Sequence, residues 1–217
     1  MSNHGSSALA HQFDDLDQQR EVASLGMWIF LVTEVLFFGA LFLTYSIYRG
    51  WYPEAFTAGS HELLVWAGTT NTVVLITSSL TMALAVHAAQ TGQRHLLIAL
   101  LLTTMAFGCV FLGIKAFEYW TEYKEHHVPG MAFQFEPEFF LHAQIFFSLY
   151  FVMTGLHALH MIIGLGIMSV MVWMSWRGII TPEYYNPIEV SGLYWHFVDI
   201  VWIFLFPLLY LIGRHVH

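Results

Sequence analysis

The chain has 217 residues, of which 57% are hydrophobic and only 10% are charged, with a formal net charge of −8. A soluble domain normally carries about a quarter charged residues, so this composition excludes an ordinary water-soluble fold. The negative charge excludes a nucleic-acid partner, since no basic patch is present to pair with phosphates. We therefore expect an integral membrane protein.

Five apolar segments are long enough to cross a membrane, which takes about 20 residues in a helix. Residues 1–21 are polar and are expected to form an N-terminal tail, and residues 22–217 are expected to form the membrane domain. The predicted helices lie at roughly 22–48, 63–89, 95–120, 140–175 and 190–213. Because the apolar runs are continuous rather than alternating, they favour helices over barrel strands. The predicted fold is an all-α bundle of five transmembrane helices.

The polar connections between these segments indicate how the helices are arranged. The first connection contains Gly50 and Pro53 and is predicted to be a loop. The second, QTGQRH, is short, so helices two and three are predicted to form an antiparallel hairpin. The third, over 121–138, is longer and acidic. Basic residues fall equally on the two sides of the membrane, so the positive-inside rule does not orient the chain.

The first helix carries Glu34 near the middle of GMWIFLVTEVLFFGALFL. Ionisable residues inside a span face the protein interior or water and pair with something. Burial in hydrocarbon disfavours the charged form, so we expect a mostly neutral Glu34 that donates one hydrogen bond. We predict that its partner across the bundle is His157, His160 or His196.

The third helix carries Lys115 and Glu118, which are three residues apart and therefore share one face. We expect them to form an ion pair at the membrane interface, with Lys115 extending towards the head groups. Glu122 continues the same face and is expected to lie in water.

Two further polar pairs occur in helices four and five: His157 with His160, and His196 with Asp199. A haem or metal site needs opposed imidazoles on different helices or additional ligands, and no HExxH motif is present. We therefore expect buried histidines that hydrogen-bond to neighbours, with Asp199 bonded to His196 or to another helix. No metal ligand, cofactor ligand or catalytic residue is predicted in this chain. Helix two offers a small polar set suited to close packing: Thr69, Thr70, Asn71, Thr72, Ser78 and Ser79.

Two other classes of membrane protein are considered. A free-standing transporter is disfavoured because the chain shows neither paired inverted halves nor helices broken at matching positions. A haem-b cytochrome using the histidines would show a Soret band in the purified chain, so an optical spectrum tests that alternative.

Four stretches together resemble subunit III of the haem–copper respiratory oxidases, which include cytochrome c and quinol oxidases. They are MWIFLVTEVLFF, IKAFEYWTEY, TGLHALHMIIG and LYWHFVDIVWIFLFPLLY. They fall in four of the five predicted helices, in the order found in that family. The chain is similar to the five-helix short form, so the family's lipid-holding cleft is expected to be smaller or to be completed by a neighbouring chain.

The resemblance implies an accessory subunit that holds no cofactor and packs beside catalytic subunit I, which carries haem and copper. Subunit II, other oxidase subunits and bound phospholipid are the further partners that it implies, while a respiratory supercomplex is left open. The implied role is to stabilise the catalytic subunit and its proton uptake in a proton-pumping terminal oxidase of an aerobic respiratory chain. Cytochrome c oxidase is the leading interpretation; a quinol oxidase or a homologue associated with nitric oxide reduction is the alternative.

The resemblance also implies positions and an orientation. Glu34 matches the family's carbodiimide-reactive glutamate. The family's other intramembrane polar positions are matched by Glu118, His157, His160, His196 and Asp199. The chain would lie in the inner or plasma membrane of a prokaryote as a multi-pass protein, with the N-terminus in the cytoplasm and the C-terminus outside.

Overall fold

The computed structural model describes residues 16–130 and 133–212, with side chains from Gln18 onward. These residues form six helices: α1 Leu16–Trp51, α2 Pro53–Glu62, α3 Val65–Gln90, α4 Arg94–Lys124, α5 Phe140–Arg177 and α6 Asn186–Tyr210. Within the described ranges, all of these helices except α2 are long and apolar enough to cross a membrane. The prediction of an all-α bundle with five transmembrane helices is confirmed.

The boundaries of α1 differ from the prediction. The helix begins at Leu16, inside the segment predicted as a polar tail, and ends at Trp51. Arg20 explains part of this extension, because its guanidinium donates to the carbonyl of Glu183 and lies 5.5 Å from the ring centroid of Tyr185. Residues 1–15 of the predicted tail, and residue 213 of the last predicted helix, lie outside the described residues.

The first connection, predicted as a loop, contains the ten-residue helix α2. Pro53 lies in its first turn, where a missing backbone N–H leaves no hydrogen bond unmade. Phe56 is fully buried and meets Phe146 of α5 edge-to-face at 5.5 Å. The stretch read as a break between two spans thus contains a short helix, which Pro53 begins.

The predicted hairpin of helices two and three is confirmed. Only Thr91, Gly92 and Gln93 separate α3 from α4, and Gly92 has a φ of 72°, a left-handed conformation that glycine adopts without strain. The two helices pack along their lengths, and the hydroxyls of Thr81 and Thr104 lie 2.8 Å apart. Thr81 lies outside the small polar set predicted for close packing, and two members of that set, Thr69 and Thr70, are exposed.

Helix α6 forms the centre of the bundle and α1 forms its periphery. In the most apolar 18-residue stretch of each helix, 56% of the α6 residues are buried, compared with 11% of the α1 residues. Two fully buried tryptophans of α6 are bonded to α3: Trp195 Nε1 donates to Ser78 Oγ and Trp202 Nε1 donates to Thr72 Oγ1, each at 3.1 Å. Satisfying the indole N–H groups inside the bundle lets α6 bury its large rings away from lipid.

The contact between α5 and α6 depends on the absence of a side chain at Gly164. A Cβ atom added there would lie 3.0 Å from the Trp195 ring, whereas one added at Gly166 would meet nothing within 4 Å. We predict that Gly164→Val lowers the free energy of unfolding by about 1–3 kcal/mol through overpacking, because the buried ring has no room to move. Denaturant unfolding in detergent measures the change.

The control is Gly166→Val, which places the same side chain two residues away on an open face. Equal destabilisation by the two substitutions would contradict the packing argument, because helix propensity favours valine over glycine at both positions.

Candidate functional site

A buried ion pair lies between α4, α5 and α6. Lys115 Nζ donates to Glu118 Oε2 at 2.9 Å, to the Tyr150 hydroxyl at 3.1 Å and to the Tyr210 hydroxyl at 3.0 Å. Tyr210 in turn donates to Glu118 Oε1 at 2.6 Å. An ammonium has three N–H donors, and all three are used here.

This geometry corrects the expectation that Lys115 extends out of the bundle towards the head groups. Lys115 is 3% exposed and Glu118 is fully buried, so the lysine does not extend towards the head groups. Four aromatic rings also surround the ammonium, with centroids at 4.8 Å for Tyr150, 5.1 Å for Tyr119, 5.6 Å for Trp202 and 5.7 Å for Tyr210. Hydrogen bonds and rings together replace the hydration that the two charges lose on burial.

A second polar pair joins α1 to α5. Glu34 Oε2 lies 3.2 Å from His160 Nε2, which confirms the predicted contact with an intramembrane histidine and identifies that histidine. His160 Nδ1 lies 2.8 Å from the carbonyl oxygen of Leu156. Since a carbonyl only accepts, Nδ1 carries a proton and Nε2 is the atom that meets the glutamate.

His157 does not lie with His160, although the two are three residues apart. It is fully buried, in edge contact with Phe111 of α4 at 5.2 Å and against Trp202 of α6 at the same distance. Neither ring nitrogen has a hydrogen-bond partner among the described residues, so the expected bond to a neighbour is wrong for this histidine. His157 acts here as part of an aromatic layer between three helices.

His196 and Asp199 lie beside a groove of about 390 Å³ between α3 and α6. His196 Nδ1 bonds to Ser79 Oγ at 2.7 Å, not to the aspartate. Asp199 is 3% exposed, and its carboxyl group faces the hydroxyl of Ser79 across the groove. The predicted bond from Asp199 to His196 is therefore wrong, whereas the interaction with Ser79 of α3 agrees with the predicted contact to a neighbouring helix.

The predicted polar residues thus fall into separate places rather than one centre. They form the Lys115–Glu118 pair, the Glu34–His160 pair, the groove of His196 and Asp199, and the isolated His157. None of these places brings together, within the described ranges, the three ligand atoms that a metal would need. The arrangement suits helix association better than chemical catalysis.

Sequence reasoning missed a fifth polar group, at the end of α4. Glu122 was expected to lie in water, but it is fully buried and its Oε2 lies 2.9 Å from His127 Nδ1. Burial lowers the pKa of His127, but the hydrogen bond and the charge of Glu122, with Glu125 and Glu62 adding to them, raise it above its ordinary value. The run EYKEHH shows that Glu122 and His127 are close in sequence. It does not show that the chain turns back after α4 and brings the two side chains together.

Comparison with known proteins gives relatives that are all named as subunit 3 of a respiratory oxidase. The profile of the family described as "Cytochrome c oxidase subunit III" matches residues 14–214. The chain is 32% identical to cytochrome c oxidase subunit 3 of Thermostichus vulcanus, covering 96% of both chains. It is 30% identical to quinol oxidase subunit 3 of Bacillus subtilis, covering 98% of this chain and 97% of the relative. It is also 30% identical to cytochrome bo(3) ubiquinol oxidase subunit 3 of Pseudomonas putida, covering 89% and 87%.

The buried ion pair yields a test of coupling. We predict that Glu118→Gln lowers the free energy of unfolding by about 3–5 kcal/mol, because it leaves the buried ammonium without its counter-charge. The double variant Lys115→Met/Glu118→Gln removes both charges and is expected to lose less than the sum of the single variants. A double-mutant cycle by denaturant unfolding in detergent measures this coupling.

Tyr210→Phe is the matched control, since it removes hydrogen bonds but no charge and is expected to cost about 1–3 kcal/mol. Additive single effects would show that the two charges do not stabilise each other.

Proposed function

This chain belongs to the cytochrome c oxidase subunit III family, and from that premise we propose that it is the accessory, cofactor-free subunit of a proton-pumping cytochrome c oxidase. Family membership makes it a membrane-bound subunit of a haem–copper respiratory oxidase complex. In the proposal, catalytic subunit I holds haem and copper, subunit II and other oxidase subunits complete the complex, and this chain stabilises subunit I and its proton uptake.

The observation that carries the proposal is how the charged groups in the spans are used. Lys115 and Glu118 bond to each other and to tyrosines of the same bundle, and Glu34 meets His160 of the same chain. Charged groups that are bonded to each other within the chain hold helices together and are not free to bind or convert a substrate. This supports a structural role, with the chemistry performed in a neighbouring subunit.

The exposed face of α1 supports docking in the membrane. Trp28, Val32, Val35 and Leu36 on this helix are each more than half exposed. In a bilayer, such a face is covered by lipid or by another transmembrane helix. We propose that subunit I or phospholipid covers it.

A groove between α1 and α6 supports the lipid part of the proposal. It has a volume of about 460 Å³ and is lined almost entirely by apolar side chains, including Phe38, Phe42 and Phe204. An acyl chain needs such an apolar surface and no hydrogen-bond partner. We propose that phospholipid chains lie here, and that a neighbouring subunit completes the cleft.

The proposed setting is a prokaryotic inner or plasma membrane, with the N-terminus in the cytoplasm and the C-terminus outside. A quinol oxidase is the second candidate complex, because the relative from Bacillus subtilis matches nearly the whole chain at 30% identity. The two candidates differ in the electron donor of the complex and not in the role of this chain.

Affinity purification from native membranes in mild detergent tests the partner. We expect the tagged chain to co-purify with the haem–copper catalytic subunit, identified by mass spectrometry, and the complex to oxidise reduced cytochrome c. Oxidation of quinol but not of cytochrome c would replace the first candidate by the second. A chain that purifies alone, or that shows its own Soret band, would contradict the proposal.

Glu34→Gln tests whether the Glu34–His160 pair supports the complex or carries pumped protons. We expect an unchanged proton-to-electron stoichiometry and faster loss of activity during turnover, because the weakened contact loosens α1 from α5. Proton release and oxygen consumption by the reconstituted complex measure the two quantities.

The control is Glu136→Gln, which removes a carboxylate from the 121–138 connection outside the helices and is expected to change neither quantity. A lower stoichiometry from the first turnovers of Glu34→Gln would instead assign Glu34 to the proton path.

A further inference from the structure

We propose that Glu122, Glu125 and His127 form a binding site for a divalent transition-metal cation, with Zn²⁺ as the fitting ion. One ligand atom from each residue lies within 4.8 Å of the other two. His127 Nδ1 is 2.9 Å from Glu122 Oε2 and 3.7 Å from Glu125 Oε2. The site lies at the end of α4 and is separate from the intramembrane pairs, so it does not depend on the proposed function.

The buried carboxylate of Glu122 gives an independent reason to expect a ligand. Glu122 is fully buried, and His127 satisfies only one of its two oxygens. The other oxygen, Oε1, has no hydrogen-bond partner in the described part of the chain. A buried carboxylate oxygen without a partner is costly, and a bound cation would compensate both the charge and the missing contact.

The backbone holds the histidine close to the glutamate. Helix α4 ends at Lys124, and His126 adopts a left-handed conformation with a φ of 60°. The chain then turns back, so that the His127 backbone N–H donates to the Glu122 carbonyl at 3.0 Å. The His127 ring also stacks on Phe147 of α5, with centroids 4.9 Å apart. Two of the three ligands are therefore positioned before an ion binds.

The ligand types select the kind of ion. Imidazole nitrogen suits Zn²⁺ and other transition metals, whereas Mg²⁺ and Ca²⁺ prefer an all-oxygen set. Zn²⁺ with ligands at about 2.0–2.2 Å in a tetrahedron places its ligand atoms roughly 3.4 Å apart. The separations of 2.9 and 3.7 Å from His127 bracket this spacing, and the two carboxylates must come within it from a separation of at most 4.8 Å. A water molecule would complete the coordination.

The surroundings of the site attract cations. His127 lines a groove of about 660 Å³ between α2 and the 121–138 connection. Three carboxylates, those of Glu54, Glu62 and Glu136, line the same groove. A cleft lined by charges of one sign raises the local concentration of the opposite ion. The groove therefore offers an entry path with a favourable potential.

Zn²⁺ titration of the full chain in detergent, after removal of bound metal by a chelator, tests the site. Competition with a fluorescent zinc chelator reports the affinity. We expect saturable Zn²⁺ binding that Glu122→Gln and His127→Gln each weaken by at least about tenfold, with little binding of Mg²⁺. Zn²⁺ is also expected to raise the melting temperature of the unaltered chain but not of these variants.

Glu136→Gln is the matched control, because it removes a carboxylate of the same groove without removing a ligand, and it is expected to weaken binding by less than about threefold. Far-UV circular dichroism establishes that each variant is folded. If Glu122→Gln does not fold, His127→Gln alone decides the test, since its side chain lies outside the spans. Equal Zn²⁺ affinity in the unaltered chain and in the folded ligand variants would overturn the proposal, as would equal affinity for Zn²⁺ and Mg²⁺.

Discussion

The structure depends on the requirement that a charge buried within the helix bundle be compensated by the protein itself. Lys115 meets this requirement with Glu118 on its own helix, Tyr150 on α5 and Tyr210 at the end of α6. The backbones of α4 and α6 are not neighbours in the described bundle, so long side chains must span the distance between them. Near the end of α6, the ion pair and its tyrosines connect the two helices. Two helical turns earlier on α6, Phe111 of α4 contacts Trp202 edge-to-face, with ring centroids 4.8 Å apart.

The same requirement separates the two roles that an intramembrane polar residue can have. A residue whose hydrogen bonds are complete within its own bundle fixes packing, as Lys115 does. A residue at the edge of the bundle is less constrained: Glu34 and His160 remain partly exposed, at 19% and 12% of their side chains. Their position between the peripheral α1 and the rest of the bundle makes them sensitive to whatever covers that face. The proposed partner subunit would therefore influence this pair more than the central one.

Hydropathy and motif spacing predicted the five spans and the α3–α4 hairpin, because both depend on local composition. The individual partners were less predictable. Glu34 was correctly expected to meet a histidine, but the choice of His160 over His157 depends on how α5 is rotated against α1. The tyrosine partners of Lys115 are 35 and 95 residues away, and no local pattern indicates them. Helix α2 and the burial of Glu122 were missed because proline and an acidic loop were both taken as signs of exposure.

One face of α4 links the interior of the bundle to its surface. Lys115, Glu118 and Glu122 follow one another along this face, and all three are buried. The first two compensate each other, so the inner part of the face is neutral as a unit. Glu122 lies beyond that pair, and its compensation must come from the connection that follows α4. His127 lies 2.9 Å from Glu122 and 3.7 Å from Glu125 but can bring only one positive charge, whereas a divalent cation would compensate both carboxylates. The charge that a metal site needs therefore comes from one buried carboxylate of α4 and from the connection that follows this helix.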